Sequence, residues 1–260
     1  MLQSLSPILI SSPVHRSGTT LLQRLLCSSP DTLIFGETLA NDLNFFCSML
    51  HNKHMLMGGQ NNWRATQLEQ VLQGDVNEWI PDIMPDKDWV LEKFEKSLAD
   101  YLEAFAQLAK GKDRPYWGTK LPGWQPALLA SVFRYMPNSK LLYIIRALEG
   151  CVRSAKLIGY CHTPADVEQF AQFWQMNQRS MKTMIPAQQV LIIDYQQLCD
   201  EPARILSQIE SFTGIQSIDP NVLNHRINNY NRIREEPPQL TAEERAIIEK
   251  YRVGFTSQLI

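Results

Sequence analysis

This 260-residue sequence predicts an α/β fold: a three-layer, P-loop-like arrangement with a mostly parallel central sheet covered on both faces. Three observations lead there. Short apolar runs alternate with amphipathic stretches of helical period along the chain, the pattern of a sheet whose strands are joined by crossover helices. Several of those stretches open on recognisable start signals, a capping hydroxyl or a proline at the first position. The first apolar run, PILI, also breaks at SSPVHRSGTT and reopens as a Leu-rich helix. Strand, tight loop and helix is the arrangement that holds phosphate-like anions, because a helix start leaves N–H groups unpaired and carries partial positive charge.

The elements follow in order. A first strand is expected over about Ile8–Ser11 and a helix from about Gly18 to Ser28. TLIFGET reads as a second short strand with Glu37 at its end. From about Asn41 to Asp86 the chain is rich in Asn, Gln, Met, His and Trp. It reads as less regular, with MGGQNNW its most loop-like part, and insertions of this composition often cover a site. DKDWVLEKFEKSLADYLEAFAQLAKGK is an amphipathic helix whose apolar stripe is Trp89, Val90, Phe94, Leu98, Tyr101, Leu102 and Phe105. YWGTK is a short strand or extended turn, PALLASVFRYM a helix, KLLYIIR a buried strand, and GCVRSAKLI the start of another helix. Thr163 caps a helix that begins at Pro164 and runs to about Thr183. QQVLIIDY is the last strand, PARILSQIESF the next helix, and Thr241 to Glu244 form a capping box for a C-terminal helix. The whole is expected to be one domain, residues 1–260, with about 41–114 as a helical and loop insertion forming an acceptor-side lid.

Bulk properties narrow the class. A 44% apolar content suffices for a core, and 20% charged residues is ordinary. A net charge of −2 gives no case for nucleic acid or an anionic membrane as partner. Cys27, Cys47, Cys151, Cys161 and Cys199 are odd in number and scattered, which is neither a zinc pattern nor a disulfide framework. They read as reduced thiols of a cytoplasmic protein. No apolar run is long enough to span a membrane, and no signal peptide is expected. His15, His51, His54, His162 and His225 form no ligand cluster, so no metal is expected.

The loop itself is not an ATP loop. The Walker pattern needs Gly, four residues, then Gly-Lys-Ser/Thr. Aligned on Gly18, Pro13 stands for the first Gly and Thr19 for the Lys, and only Thr20 fits. In exchange, Arg16 brings a permanent forked cation, Gly18 a close backbone approach, and Ser17, Thr19 and Thr20 their hydroxyls.

At this point the residues resemble a family. HRSGTTLL after a strand is similar to the 5′-phosphosulfate loop of sulfotransferases that use 3′-phosphoadenosine 5′-phosphosulfate (PAPS). LLYIIRALEGCVRSAK resembles their 3′-phosphate motif, an Arg at a strand end and a Ser eight residues on; Arg146 and Ser154 have that spacing. VLIIDYQQLCDEPARILSQIESFTGI resembles the late strand, the Tyr-x-x-Leu and the Pro-started helix. FGET and YWGTKLP resemble segments of the branches with a Glu base, the tyrosylprotein and bacterial carbohydrate sulfotransferases. The cytosolic aryl branch has its Lys in the first loop and a His base instead. His15, where the family usually has Pro, and Leu121, where Thr or Asp often sits, depart from the pattern.

What the resemblance implies is a sulfuryl transfer from PAPS to an acceptor hydroxyl, with 3′-phosphoadenosine 5′-phosphate (PAP) as product. Arg16, Ser17, Gly18, Thr19 and Thr20 would hold the 5′-phosphosulfate, and Arg146 with Ser154 the 3′-phosphate. Lys120 would face the transferring group, and Glu37 would act as base. Taken singly, each has a plainer reading: Glu37 a first-turn acid, Lys120 a surface lysine, Arg146 a surface ion pair. An ATP-dependent kinase-like transferase and a silent nucleotide-binding module are the competing readings. The acceptor stays open among a small molecule, a glycan, a lipid-linked alcohol and a tyrosine; His51, His54, Trp63 and Trp79 are the candidate lid residues.

Overall fold

A computed structural model describes residues 2–58, 63–75, 83–225, 227 and 238–252. Five parallel strands, β1 (Ile8–Ser12), β2 (Thr32–Phe35), β3 (Tyr116–Pro122), β4 (Lys140–Ile145) and β5 (Val190–Asp194), form one sheet in the order β2-β3-β1-β4-β5. The helices are α1 (Thr19–Ser28), α2 (Glu37–Gly58), α3 (Trp63–Leu72), α4 (Lys87–Lys110), α5 (Pro126–Tyr135), α6 (Leu148–Leu157), α7 (Pro164–Met184), α8 (Tyr195–Asp200), α9 (Pro202–Thr213) and α10 (Ala242–Arg252). None of them is long and apolar enough, among the described residues, to cross a membrane.

The two-residue period of the central strands builds both sides of the sheet. Ile8 and Ile10 of β1 and Leu142 and Ile144 of β4 face α1 and α9, packing on Leu22, Leu25, Leu26, Ile205 and Ile209. Leu9, Leu141, Tyr143 and Ile145 face the other way, into a core made with α2, α4 and α5. A third cluster joins α6, α7 and α10 around Val152, Val167, Trp174 and Ile248. β1 is buried at every position, as a central parallel strand should be. Its pairing with β3 requires Gly118, where a Cβ would stand 1.8 Å from the Ile8 carbonyl oxygen.

The strand order puts a topological switch at β1. The chain leaves it toward β2, returns to it as β3, and continues on the other side as β4 and β5. A crevice opens at the C-terminal ends of such neighbours, and the loop from Pro13 to Gly18 emerges there.

Two expectations are corrected. The stretch from Asn41 is not irregular: α2 runs unbroken to Gly58, and α3 follows. Leu39, Leu43, Cys47 and Leu50 keep a helical spacing through the Asn-rich sequence, and all are buried against the sheet, which outweighs the propensity of the intervening polar residues. Trp89 is not part of the α4 stripe. It lies in the helix's first turn, 52% exposed, with Lys93 over its ring. Of the two readings open for YWGTK, strand or extended turn, the structure has the strand, which runs seven residues to Pro122. The α8 turn was not expected at all. Residues 59–62, 76–82 (with Trp79) and the side chain of Trp63 lie outside what is described.

One buried ion pair ties α10 to the site-bearing helix α6. Glu244 is 1% exposed; it accepts from Lys156 and, in the expected capping box, from the Thr241 backbone N–H at 2.8 Å. Burial pushes its carboxyl up, but the hydrogen bonds from Lys156 and Thr241 outweigh that and leave its pKa below the usual glutamate value. A pKa depressed on folding stabilises fully above the unfolded value, about 4.3, and the contribution is lost as pH falls through the folded one. Glu244→Gln is therefore expected to lower the thermal midpoint at pH 7, and the gap to wild type should narrow steadily below about pH 5. Calorimetry across pH 3–7 checks this; a gap independent of pH would contradict it.

Candidate active site

The loop after β1 is held from beneath before it holds anything itself. The Ser12 and Ser17 hydroxyls both donate to the Val14 carbonyl, at 2.8 and 2.9 Å, and Asn177 of α7 donates to the Pro13 carbonyl at 2.7 Å. The Gly123 N–H donates to the Ser12 carbonyl at 3.0 Å. Arg16 takes φ 69° and Gly18 φ 107°, two left-handed residues that fold the chain tightly into α1. Gly18 has to be glycine on steric grounds too, since a Cβ there would stand 2.6 Å from the Tyr195 ring. No side chain caps α1, so its first-turn N–H groups are left for a ligand.

Above the loop is a cavity of about 490 Å³. Of the residues read from the sequence, Arg16, Gly18, Thr19, Thr20, Arg146 and Ser154 line it. Ser17 does not present its hydroxyl: the side chain is fully buried and spent on the Val14 carbonyl, so only its backbone serves the loop. Arg146 and Ser154 are brought to the loop by β4 and α6, as their spacing implied. The Arg16 Nε donates to the Ser154 Oγ at 3.0 Å, and the Arg146 guanidinium donates to the Arg16 carbonyl at 3.2 Å. Two guanidinium groups, two threonine hydroxyls and a bare helix start form a donor set suited to oxyanions. Among the described residues there is no group of three or more His, Cys, Asp or Glu that could hold a metal ion.

Beside the cavity, Lys120 and Glu37 meet. Lys120, on β3 and 7% exposed, donates to the Glu37 Oε1 at 2.5 Å and to the Thr20 Oγ1 at 3.3 Å. Glu37 opens α2, so it is at once a first-turn acid and a carboxylate aimed at Lys120 on β3. Its side chain stays 44% exposed, open to an incoming molecule. Thr20 belongs to both parts: it lines the cavity and touches the lysine.

His15 lies at the rim, with its ring partly in solvent and edge-on to Tyr160, centroids 5.8 Å apart. Partial desolvation lowers its pKa from the ordinary histidine value; Glu37 opposes that, and Lys120 and Arg16 reinforce it. His51 and His54 are not here. The His51 Nδ1 accepts from the Arg134 guanidinium at 2.8 Å, and His54 stacks on Tyr135. Those residues end α5 just before β4 begins, at the N-terminal end of the strands, opposite the loop.

The sequence reading missed Tyr195, Cys199, Asn224 and His225 as cavity residues. Tyr195 had a usable signal, since it directly follows a strand's C-terminal end, where ligands sit in this fold. Asn224 and His225 had none; a 3-10 turn, Pro220–Asn224, brings them back against α1 from far along the chain.

A model described as the sulfotransferase family matches residues 7–220. The sulfotransferase domain from the Synechococcus PCC 7002 olefin synthase has a TM-score of 0.51 at 16% identity, over 96% of this chain and 97% of that one. Sulfotransferase STF1 from Mycobacterium tuberculosis has a TM-score of 0.49 at 15% identity, over 95% and 76%. A mouse sulfotransferase complexed with PAP has a TM-score of 0.45 at 16% identity, over 86% and 63%. At such identities the likeness is one of fold. No curated protein matches the chain.

Proposed function

The chain belongs to the sulfotransferase family, and on that footing we propose that it moves a sulfuryl group from PAPS to an acceptor hydroxyl, with Glu37 as general base. The observation that carries this reading is the position of Thr20, which joins an oxyanion cavity to a Lys–Glu pair through one hydroxyl. Donor cradle, cation and base are thereby contiguous, which supports the reading of an in-line displacement.

When bound, the donor supplies an electrophilic sulfur and a phosphate leaving group. Arg16, the N–H groups of the loop and the Thr19 and Thr20 hydroxyls are preorganised to bind its 5′ side. Arg146 and Ser154 bind a 3′-phosphate, the group that separates this nucleotide from ATP. Leu157, Leu223 and Ile227 give the cavity apolar walls, and Asn224 and His225 give it hydrogen-bonding edges, a lining suited to a purine. Glu37 takes the acceptor's hydroxyl proton onto its carboxylate as the new S–O bond forms and the bond to the phosphate oxygen breaks. Lys120 has three N–H donors; Glu37 and Thr20 occupy two, which leaves one for the oxygen on which charge accumulates. The acceptor side is open around Glu37 and His15, and the hydroxyl bearer enters from there.

Ligand-induced stabilisation tests the donor. At about 100 times its dissociation constant PAP stabilises the fold by about 2.7 kcal/mol, several degrees in thermal midpoint for a chain of this size. ATP at the same concentration is expected to give much less, since it lacks the 3′-phosphate and finds no lysine in the loop. Equal stabilisation by ATP and PAP would overturn the donor assignment in favour of a kinase-like reading.

A further inference from the structure

We propose that His15 and Tyr160 form a platform for the acceptor, and that the acceptor is therefore a ring alcohol rather than an open-chain one. The proposal rests on the transfer reading above and adds to it the class of molecule that meets Glu37.

The two rings stand at the rim of the loop, outside the donor cavity, which neither of them lines. Their centroids are 5.8 Å apart and their planes 83° apart, so the edge of one meets the face of the other and an angled corner is left open. Both side chains are exposed, Tyr160 at 59%. Among the described residues, neither the His15 ring nitrogens nor the Tyr160 hydroxyl has a hydrogen-bond partner. Flat faces and unspent polar tips are thus both presented to solvent, the two features by which aromatic side chains bind a ring that carries hydroxyls. Position links this corner to the chemistry. His15 lies close enough to Glu37, Lys120 and Arg16 to feel all three charges. A molecule lying against the rings brings its hydroxyl to the side on which the Glu37 carboxylate is open.

Both rings are carried by backbone that is already fixed. Val14, before His15, is buried, and its carbonyl accepts from the Ser12 and Ser17 hydroxyls; the Pro13 carbonyl accepts from Asn177. Tyr160 follows Gly159, which takes φ 78° and ends α6. The Gly159 N–H donates to the Lys156 carbonyl at 3.1 Å and the Tyr160 N–H to the Ala155 carbonyl at 2.9 Å, the paired bonds of a Schellman ending. Partial desolvation, with Lys120 and Arg16 acting against Glu37, holds the imidazole below the ordinary histidine value, so it meets the acceptor as a neutral ring. A rigid ring docks on such a surface with few rotors to freeze. An open-chain alcohol loses several and covers less of either face.

The test compares two primary alcohols, benzyl alcohol and 1-hexanol, with methyl glucopyranoside as a ring that is not aromatic. Initial rates with PAPS on the full chain give kcat/KM, and saturation-transfer NMR on the PAP complex gives binding. In wild type benzyl alcohol is expected to exceed hexanol by about tenfold. Tyr160→Leu and His15→Gln should each lower kcat/KM for benzyl alcohol by about fivefold, leave hexanol nearly unchanged and keep wild-type PAP affinity. Tyr160→Phe keeps the ring and should keep the preference. A merely structural role would move the thermal midpoint and leave the ratio of the two alcohols alone. Should one variant fail to fold, the other gives the same comparison. Glucoside above benzyl alcohol assigns the ring to a sugar, and the reverse assigns it to an aromatic; either order above hexanol upholds the platform. Ring alcohols that PAP-bound wild type takes up no better than hexanol, or a ring preference intact in the Leu and Gln variants, overturn it. A wild-type protein that does not bind PAP overturns the donor reading instead, so the two failures are told apart by the PAP titration.

Discussion

Glu37→Gln lowers kcat by about 10³-fold, while the affinity for PAP stays near the wild-type value. The substitution keeps the shape and one acceptor oxygen, so the hydrogen bond from Lys120 has a partner still. What it removes is the capacity to accept the acceptor's proton. The anion-binding loop, Arg146 and Ser154 should be unaffected, because Glu37 hydrogen-bonds none of them and does not line the cavity. Single-turnover rates with saturating donor, set beside calorimetric PAP binding, separate the two effects. A Gln variant with near-normal turnover would remove Glu37 from the mechanism and turn attention to His15, a second titratable group at that rim. A variant that loses PAP affinity as strongly as turnover would mean that Glu37 only holds the loop in place through Lys120.

Glu37 also illustrates what sequence can tell. Its position after a short strand was legible from FGET, and so were the loop from Arg16 to Thr20 and the Arg146 to Ser154 spacing, because each is a local pattern within a strand–turn–helix unit. Two kinds of information were not legible. The first is burial at long range. In α2 the Asn and His residues mask a helical stripe that only tertiary packing reveals, since Leu39, Leu43, Cys47 and Leu50 are held by β3, α4 and α5. The same region misled about His51 and His54, which composition suggested for a lid and topology carries to the opposite end of the strands. The second is geometry between elements. Nothing in the order of residues says that Tyr195 lies against Gly18, or that the Ser17 hydroxyl turns inward while that of Thr20 stays available.

Lys120→Met is the second large effect, and it is expected to differ from the first in kind. Methionine keeps the length and most of the volume of the side chain, so the buried site is filled rather than emptied. The charge is lost, and with it a preorganised donor at the oxygen where charge develops; kcat should fall by about 10²–10³-fold. Stability should hardly change. The carboxylate left behind, Glu37, is 44% exposed and can be hydrated, whereas Lys120 is the buried partner. Removing the buried charge is mild, and removing its partner is not. Glu37→Ala should therefore lower the thermal midpoint more than Lys120→Met does, although the latter alters the more buried residue. In the proposed mechanism the two residues act on one transfer, one on the entering oxygen and one on the departing side. Their double variant, Glu37→Gln with Lys120→Met, should then be little slower than the worse single variant instead of showing the product of both losses. Fully multiplicative losses would mean that the pair does not work as a unit, and a Lys120→Met protein with wild-type kcat would leave the cation to Arg16 alone.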